Sequence, residues 1–326
     1  MWRLPAVARR AGVLLALAGT LTLSVPAGQL AGADSGSRPP VGGGHDGYYW
    51  ISYFRMLGGL GPVSRDAGWE TQEAAHVRYL ADHALSCETD VHDELTSRQA
   101  GCGANPYATP AGRLAANNSD ITRMTGPVED RAAVRNWFVA GFHALTLLDP
   151  RLRSTGYSAY YTASPAGRGM LPYQFTAAVD VYRGRTGSYS GGLLSFPATG
   201  ATSPLLAYRV GTESPEPFGA TLASSPCHAW TALSVVSAPI IVQWPVGSRR
   251  PQTPAAIVDL GSGRALPTCA LTASQYPAGS LPATLLIGTN RVTRAALYYA
   301  DAPFQPAHRY QLRIGGTVIT EFGTSN

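Results

Sequence analysis

Two histidines, His92 and His143, stand where an imidazole could do chemistry. His92 lies in an acidic run, with Glu88, Asp90, Asp93 and Glu94 around it, inside a stretch from Leu85 to Asn118 that lacks helical or strand periodicity and carries Cys87 and Cys102. A stretch that long without regular structure is usually functional or disordered, and its cysteine pair argues for order. His143 follows Gly141-Phe142, just past the expected end of a helix whose apolar face is Val134, Trp137 and Phe138. An imidazole in that position can equally well hydrogen-bond the backbone and close the helix. Brought together, two imidazoles can hold a divalent metal such as zinc, but a catalytic zinc site usually has three protein ligands plus water, and a water-activating base is needed as well. The carboxylates beside His92 could supply one, although a solvated acidic loop is the plainer reading.

Other chemistries find less support. Ser158 and Ser195 lack a Gly-x-Ser-x-Gly setting, and no Walker or dinucleotide-binding glycine pattern follows a strand and opens a helix. His228, next to Cys227 and near Trp230, reads as structural, and His308 belongs to a turn before Tyr310.

The elements that must position these residues change character along the chain. Tyr48 to Leu57 has helical spacing and stops at Gly58-Gly59. Trp69 to Ala84 predicts a second helix with Ala74, Val77, Leu80, Ala81 and Ala84 on its buried stripe, and Glu70, Gln72, Glu73 and Arg78 directed mostly elsewhere. After the Trp137 helix, Leu145, Leu147 and Leu148 bury themselves until Asp149-Pro150 bars further helix, and Gly156–Ala163 with Gln174–Tyr182 predict a strand pair. Residues 46–185 thus form one α+β domain. Residues 186–205 are rich in Gly, Ser, Thr and Pro and predict a linker. From 206 to 326 short apolar runs at 240–244, 255–259, 284–287, 296–299 and 310–314, separated by turn residues, predict a smaller all-β, sandwich-like domain.

Residues 1–33 carry Arg3, Arg9 and Arg10, an apolar run from Gly12 to Val25 and the small tripeptide Ala31-Gly32-Ala33, which together predict a secretory signal peptide cleaved after Ala33. Residues 34–45 would then be a flexible leader, and the mature chain would be extracellular with no membrane span. The formal net charge of +5 falls to 5 − 3 = +2 once those three arginines are removed, which gives no nucleic-acid surface. Four cysteines in the exported part suit an oxidising compartment. Of the three possible connectivities, Cys87–Cys102 and Cys227–Cys269 fit best with two separate domains, and no C-x-x-C spacing supports a four-thiolate metal site.

The segments Tyr53-Phe54-Arg55-Met56-Leu57-Gly58-Gly59-Leu60-Gly61-Pro62-Val63, Ala75-His76-Val77-Arg78-Tyr79-Leu80, His92, Thr109-Pro110-Ala111-Gly112 and Trp137 through Gly156, taken in order, resemble the CAP family, also called SCP, of cysteine-rich secretory proteins, antigen 5 and pathogenesis-related proteins, in its bacterial secreted branch. The resemblance covers roughly the first half of the mature chain. The last residues, around His308-Arg309-Tyr310-Gln311-Leu312 and Glu321-Phe322-Gly323-Thr324, resemble the C-terminal β modules appended to some secreted CAP proteins. The resemblance implies an α-β-α sandwich with a surface cavity where two histidines from distant segments face each other, flanked in many members by two glutamates. By position those histidines are His92 and His143, with Asp93, Glu94 and Arg113 expected around the cavity. The sequence departs from the family at both glutamates: Arg113 follows Gly112, and the Trp137 helix carries Val139, Ala140 and Gly141. An arginine at the cavity would oppose a cation. The resulting expectation is a secreted, non-catalytic module that binds a small apolar ligand or a cell-envelope component. A metal-dependent, peptidase-like hydrolase using the same histidines, or a structural envelope protein, is the alternative.

Overall fold

The computed structural model describes residues 46–82, 91–92, 94, 105, 107–125, 128–161, 173–218, 227, 230–231, 233–245, 248, 254–287 and 293–326. The expected signal peptide and leader, the Cys87–Cys102 pair, Asp93 and His228 lie outside these residues.

Helix α1 (Gly47–Leu57) starts where the Asp46 carboxylate accepts the Tyr49 N–H and stops at Gly58, followed by Gly59 at φ +72°. Helices α2 (Ala67–Asp82), α3 (Pro110–Ala116), α4 (Asp130–Val139) and α5 (Gly141–Leu147) complete the first half with a three-stranded antiparallel sheet. In that sheet β5 (Tyr173–Asp180) lies between β2 (Ser119–Thr125) and β4 (Tyr157–Tyr161), and a two-residue parallel ladder joins β1 (Ser64–Arg65) to β3 (Ser154–Thr155). Side chains alternate across β5: Phe175, Ala177 and Val179 join the core formed with α1 and α4, while the opposite face meets α2. Helices therefore cover both sides of the sheet.

Three expectations about this half are revised. The buried stripe of α2 runs through Glu73, His76, Val77 and Leu80, whereas Ala74 is exposed. Its partner surface is polar, because Ser119 Oγ hydrogen-bonds Glu73 Oε1 at 2.6 Å and Arg183 reaches Glu73 at 3.5 Å, so a carboxyl group can be buried where an apolar residue was expected. Helix α3 lies within the stretch expected to be irregular. Thr109 caps it by accepting the Gly112 N–H at 2.9 Å, and Pro110 takes its first position. Finally, α4 ends at Val139, ahead of the expected end at Gly141-Phe142, and His143 lies inside a new helix. Ala140, at φ −83° and ψ 106°, breaks α4, and a second helix starts at once, with His143 as its third residue.

The second half builds two larger sheets. One is antiparallel, in the order β13 (Thr268–Thr272), β14 (Thr293–Ala300), β10 (Ile240–Pro245), β6 (Leu194–Phe196). The other runs β12 (Ala265–Leu266), β11 (Ala255–Asp259), β15 (Arg309–Ile314), β16 (Thr317–Thr324), β7 (Thr202–Ser203), with the last pair parallel. A small ladder pairs β8 (Ala207–Arg209) with β9 (Val235–Ser237). Cys227 and Cys269 are disulfide-bonded across 42 residues, with Cα atoms 5.5 Å apart. The run at 284–287, expected as a strand, belongs instead to helix α6 (Leu281–Ile287), which buries Ala283 and Leu286 against β14. A short apolar run suits a buried strand or a helix face equally well, and packing decides between them.

The two halves share a core. All described residues belong to one compact unit, and the buried cluster runs from Tyr48 through Phe138 and Leu148 to Leu297 and Phe322. Phe138 meets Phe196 at 5.6 Å, Phe142 meets the edge of Tyr276 at 5.9 Å, and Gln243 donates to the Leu148 carbonyl at 3.0 Å. Residues 186–205, expected as a linker, supply β6 and β7 to the two large sheets.

Candidate functional site

Helix α5 is held at both ends by charges from outside it. At its N-terminus, Glu213 from the second half accepts the N–H groups of Phe142 and His143 at 2.7 and 3.0 Å through Oε1. Beyond its C-terminus the buried Arg55 of α1 donates to the carbonyls of Leu147, Asp149 and Leu152, the last at 2.9 Å. A carboxylate at the start and a guanidinium at the end both match the helix dipole. Burial nevertheless lowers the Arg55 pKa to about 10. Gly141 is required for this arrangement: a Cβ there would lie 2.4 Å from Tyr299 Oη and 2.7 Å from Leu297, both on β14.

Glu213 Oε1 also accepts a hydrogen bond from His143 Nδ1 at 3.0 Å. A second carboxyl acts on His143: Asp120, the second residue of β2, whose Oδ2 accepts the Thr146 hydroxyl. Burial opposes the charged imidazole, but Asp120 and then Glu213 outweigh it and hold the His143 pKa up at about 9. Burial likewise raises the Asp120 carboxyl, against the pull of His143. At neutral pH His143 is therefore an imidazolium, its Nδ1–H on Glu213 and its Nε2–H directed away from it.

His92 reaches the same place from a different segment. Its Nδ1 donates to the Ala116 carbonyl at the end of α3, at 2.8 Å, which fixes the proton on Nδ1. His92 and His143 line one cavity of about 180 Å³. Asn117, Ser119, Asp120, Thr146, Tyr182 and Ser214 complete its polar side, while Phe142, Pro215, Leu281 and Leu285 give it an apolar wall. Much of that wall comes from the second half of the chain.

Of the other residues expected at the cavity, Asp93 lies outside the described residues, and Glu94 and Arg113 do not line it. Glu94 is buried in a separate cluster, accepting from His76 Nδ1 at 2.9 Å and from the Thr109 N–H at 2.9 Å, so it ties its segment to α2 and the start of α3. A Cβ at Gly112 would lie 2.2 Å from Glu94 Oε1, so the glycine of the Thr-Pro-Ala-Gly motif serves this contact. Arg113, half-buried on α3, does not line the cavity, and the positive charge expected there comes from His143 itself.

Asp120 and Glu213 were not anticipated from sequence. Asp120 carried a weak signal, a carboxylate at the start of an alternating strand. Glu213 carried none, because its partner is 70 residues away.

The donor set does not fit a zinc site. Among the described residues no group of three His, Cys, Asp or Glu side chains is spaced to hold a metal, and His143 holds a proton that a metal would have to displace. Two of the hydroxyls that line the cavity are committed: Ser119 donates to Glu73 or the Ala115 carbonyl, and Thr146 to Asp120 or the His143 carbonyl, while Ser214 lines it as well. Among the described residues no helix is long and apolar enough to cross a membrane. No family model, curated protein or solved structure matches this chain.

Proposed function

We propose that this chain is an exported, CAP-like binding protein whose two-histidine cavity holds a small, partly apolar ligand without converting it, with the second half of the chain forming one wall of the site. The observation that carries this reading is the cavity, where His92 and His143, from separate segments, face the apolar wall of Phe142, Pro215, Leu281 and Leu285. Its volume of about 180 Å³ suits a group somewhat larger than benzene, since an apolar cavity of roughly 150 Å³ can hold that ring. The layering of helices on both sides of a three-stranded sheet supports the family resemblance. The poor fit to a metal favours binding over metal-dependent hydrolysis.

Thermal-shift and ligand-observed NMR screening of small amphiphiles against the purified chain tests the reading. Leu285→Trp, which fills the cavity from its half-exposed rim, should abolish binding while leaving the melting temperature within a few degrees of the parent. Hits that bind Leu285→Trp equally well, or that are turned over by the parent protein, would refute it. Export is tested by N-terminal sequencing of secreted protein, where a chain beginning at Asp34 is expected and one beginning near Met1 would overturn the signal-peptide reading.

A further inference from the structure

We infer that this cavity takes a single pyranose ring, an inference that rests on the binding role proposed above. Its polar side is a continuous arc in which every link is a contact or a peptide bond. The carbonyls of Ala115 and Ala116, successive at the end of α3, hold Ser119 Oγ and His92 Nδ1, each at 2.8 Å. Asp120 follows Ser119 on β2, and its Oδ2 accepts the Thr146 hydroxyl. That hydroxyl lies 2.6 Å from the His143 carbonyl, the His143 ring meets Glu213 at 3.0 Å, and Ser214 follows Glu213 in the chain. Asn117, whose amide N–H donates to the Arg113 carbonyl at 2.8 Å, and Tyr182 complete the polar lining. The remainder is apolar: Phe142, Pro215, Leu281 and Leu285.

A ligand with one polar group would pair with one or two of these side chains and strip water from the others, and a polar group buried without a partner costs free energy. The ligand that fits therefore carries several polar groups along one edge. Hydroxyls suit the arc because each donates one hydrogen bond and accepts two. A hydroxyl thus pairs with a carboxyl, an imidazole, an amide or another hydroxyl, whichever of Asp120, His92 and His143 carries the proton. The apolar lining asks for the opposite on the ligand's other side, a surface of C–H groups whose burial adds affinity. Size sets the scaffold: a cavity of roughly 150 Å³ holds a benzene ring, so about 180 Å³ takes one six-membered ring with its substituents and not two. A pyranose joins these requirements, with hydroxyls around its rim and C–H bonds on its faces. An open-chain polyol lacks the rigid apolar face, and a carbocycle with one hydroxyl leaves most of the arc unpaired, which a site built for several hydrogen bonds penalises.

The test is a ligand-observed NMR titration of the full chain with methyl β-D-glucopyranoside, methyl β-D-galactopyranoside, methyl α-D-mannopyranoside and N-acetylglucosamine, against glycerol and cyclohexanol as controls. The best of the sugars should bind at least tenfold more tightly than either control. Ser214→Ala, which removes one hydroxyl from the arc and no hydrogen bond among the described residues, should weaken that sugar at least threefold with the melt retained. Glycerol or cyclohexanol binding within tenfold of the best sugar would overturn the inference and leave the binding role standing. Sugar affinity unchanged in a folded Ser214→Ala would also overturn it. Silence from all the sugars would overturn it as well, while the amphiphile screen with Leu285→Trp decides the binding role on its own. The comparison of sugars with controls needs no variant, so it decides the matter even if Ser214→Ala does not fold.

Discussion

Replacing Glu213 by glutamine should lower the His143 pKa while leaving α5 capped. Glutamine retains an oxygen to accept the Phe142 and His143 N–H groups but removes one of the two charges that stabilise the imidazolium. The folded-state pKa of about 9 lies above the ordinary value of 6.5, so the stability it brings is fully present below about 6.5 and is lost as pH rises through about 9. At 1.36 kcal/mol per pH unit, the whole elevation is worth roughly 3 kcal/mol. Asp120 and Glu213 share the elevation, Glu213 through both its hydrogen bond and its charge, so Glu213→Gln should remove part of it, roughly 1 kcal/mol of this pH-dependent stability. In Asp120→Asn/Glu213→Gln both charges are gone while burial still disfavours the cation, so the His143 pKa should drop well below that of either single variant. The assay is an NMR titration of the His143 ring proton, together with urea unfolding of parent and variants at pH 6 and pH 9.5. The parent should lose more stability than Glu213→Gln between those two pH values. A parent His143 that titrates near 6.5, or a stability difference between parent and variant that is flat with pH, would refute the reasoning.

Burial raises the Glu73 carboxyl to about 8 from an ordinary 4.5, so its contribution to stability is present below about 4.5 and lost as pH rises through about 8. Glu73→Gln should therefore unfold at higher urea than the parent at pH 9, by a few kcal/mol, and equal midpoints there would count against it. The Cys227–Cys269 bridge closes a loop of 42 residues, for which chain entropy gives roughly 4 kcal/mol. Non-reducing peptide mapping should recover that pair, and an unchanged urea midpoint in Cys227→Ser/Cys269→Ser would contradict the estimate. Zinc should bind more weakly than at a three-ligand site, and more weakly at pH 6.5 than at pH 9.5 because it competes with the His143 proton. Calorimetric titration at both pH values checks this, and tight, pH-independent binding would show that the site is built differently.

Much of the first half was legible in sequence because its signals are local. The apolar spacing of Val134, Trp137 and Phe138 places α4, and these side chains are buried as the period requires. Alternation marked β4 and β5, and the Gly58-Gly59 stop marked the end of α1. Helix α3 was missed although Thr109-Pro110 is a helix-start signal, because the surrounding run of mixed polar residues hides a helix of seven residues.

By itself the sequence determined the mixed α+β class, most of the long strands and the two histidines worth following. Tertiary structure decided what surrounds them. Glu73 and His76 sit on a buried helical face because Ser119, Arg183 and Glu94 happen to lie opposite, and hydrogen-bonding pattern across tens of residues cannot be read from periodicity. Glu94, beside His92 in the chain, turns to His76 and not to the cavity, whereas Glu213, 70 residues from His143, closes on it. Proximity in sequence constrains the backbone over a few residues only. Beyond that distance the packing of α5, β14 and α6 into one shared core sets which charges meet, and with them the protonation state of His143.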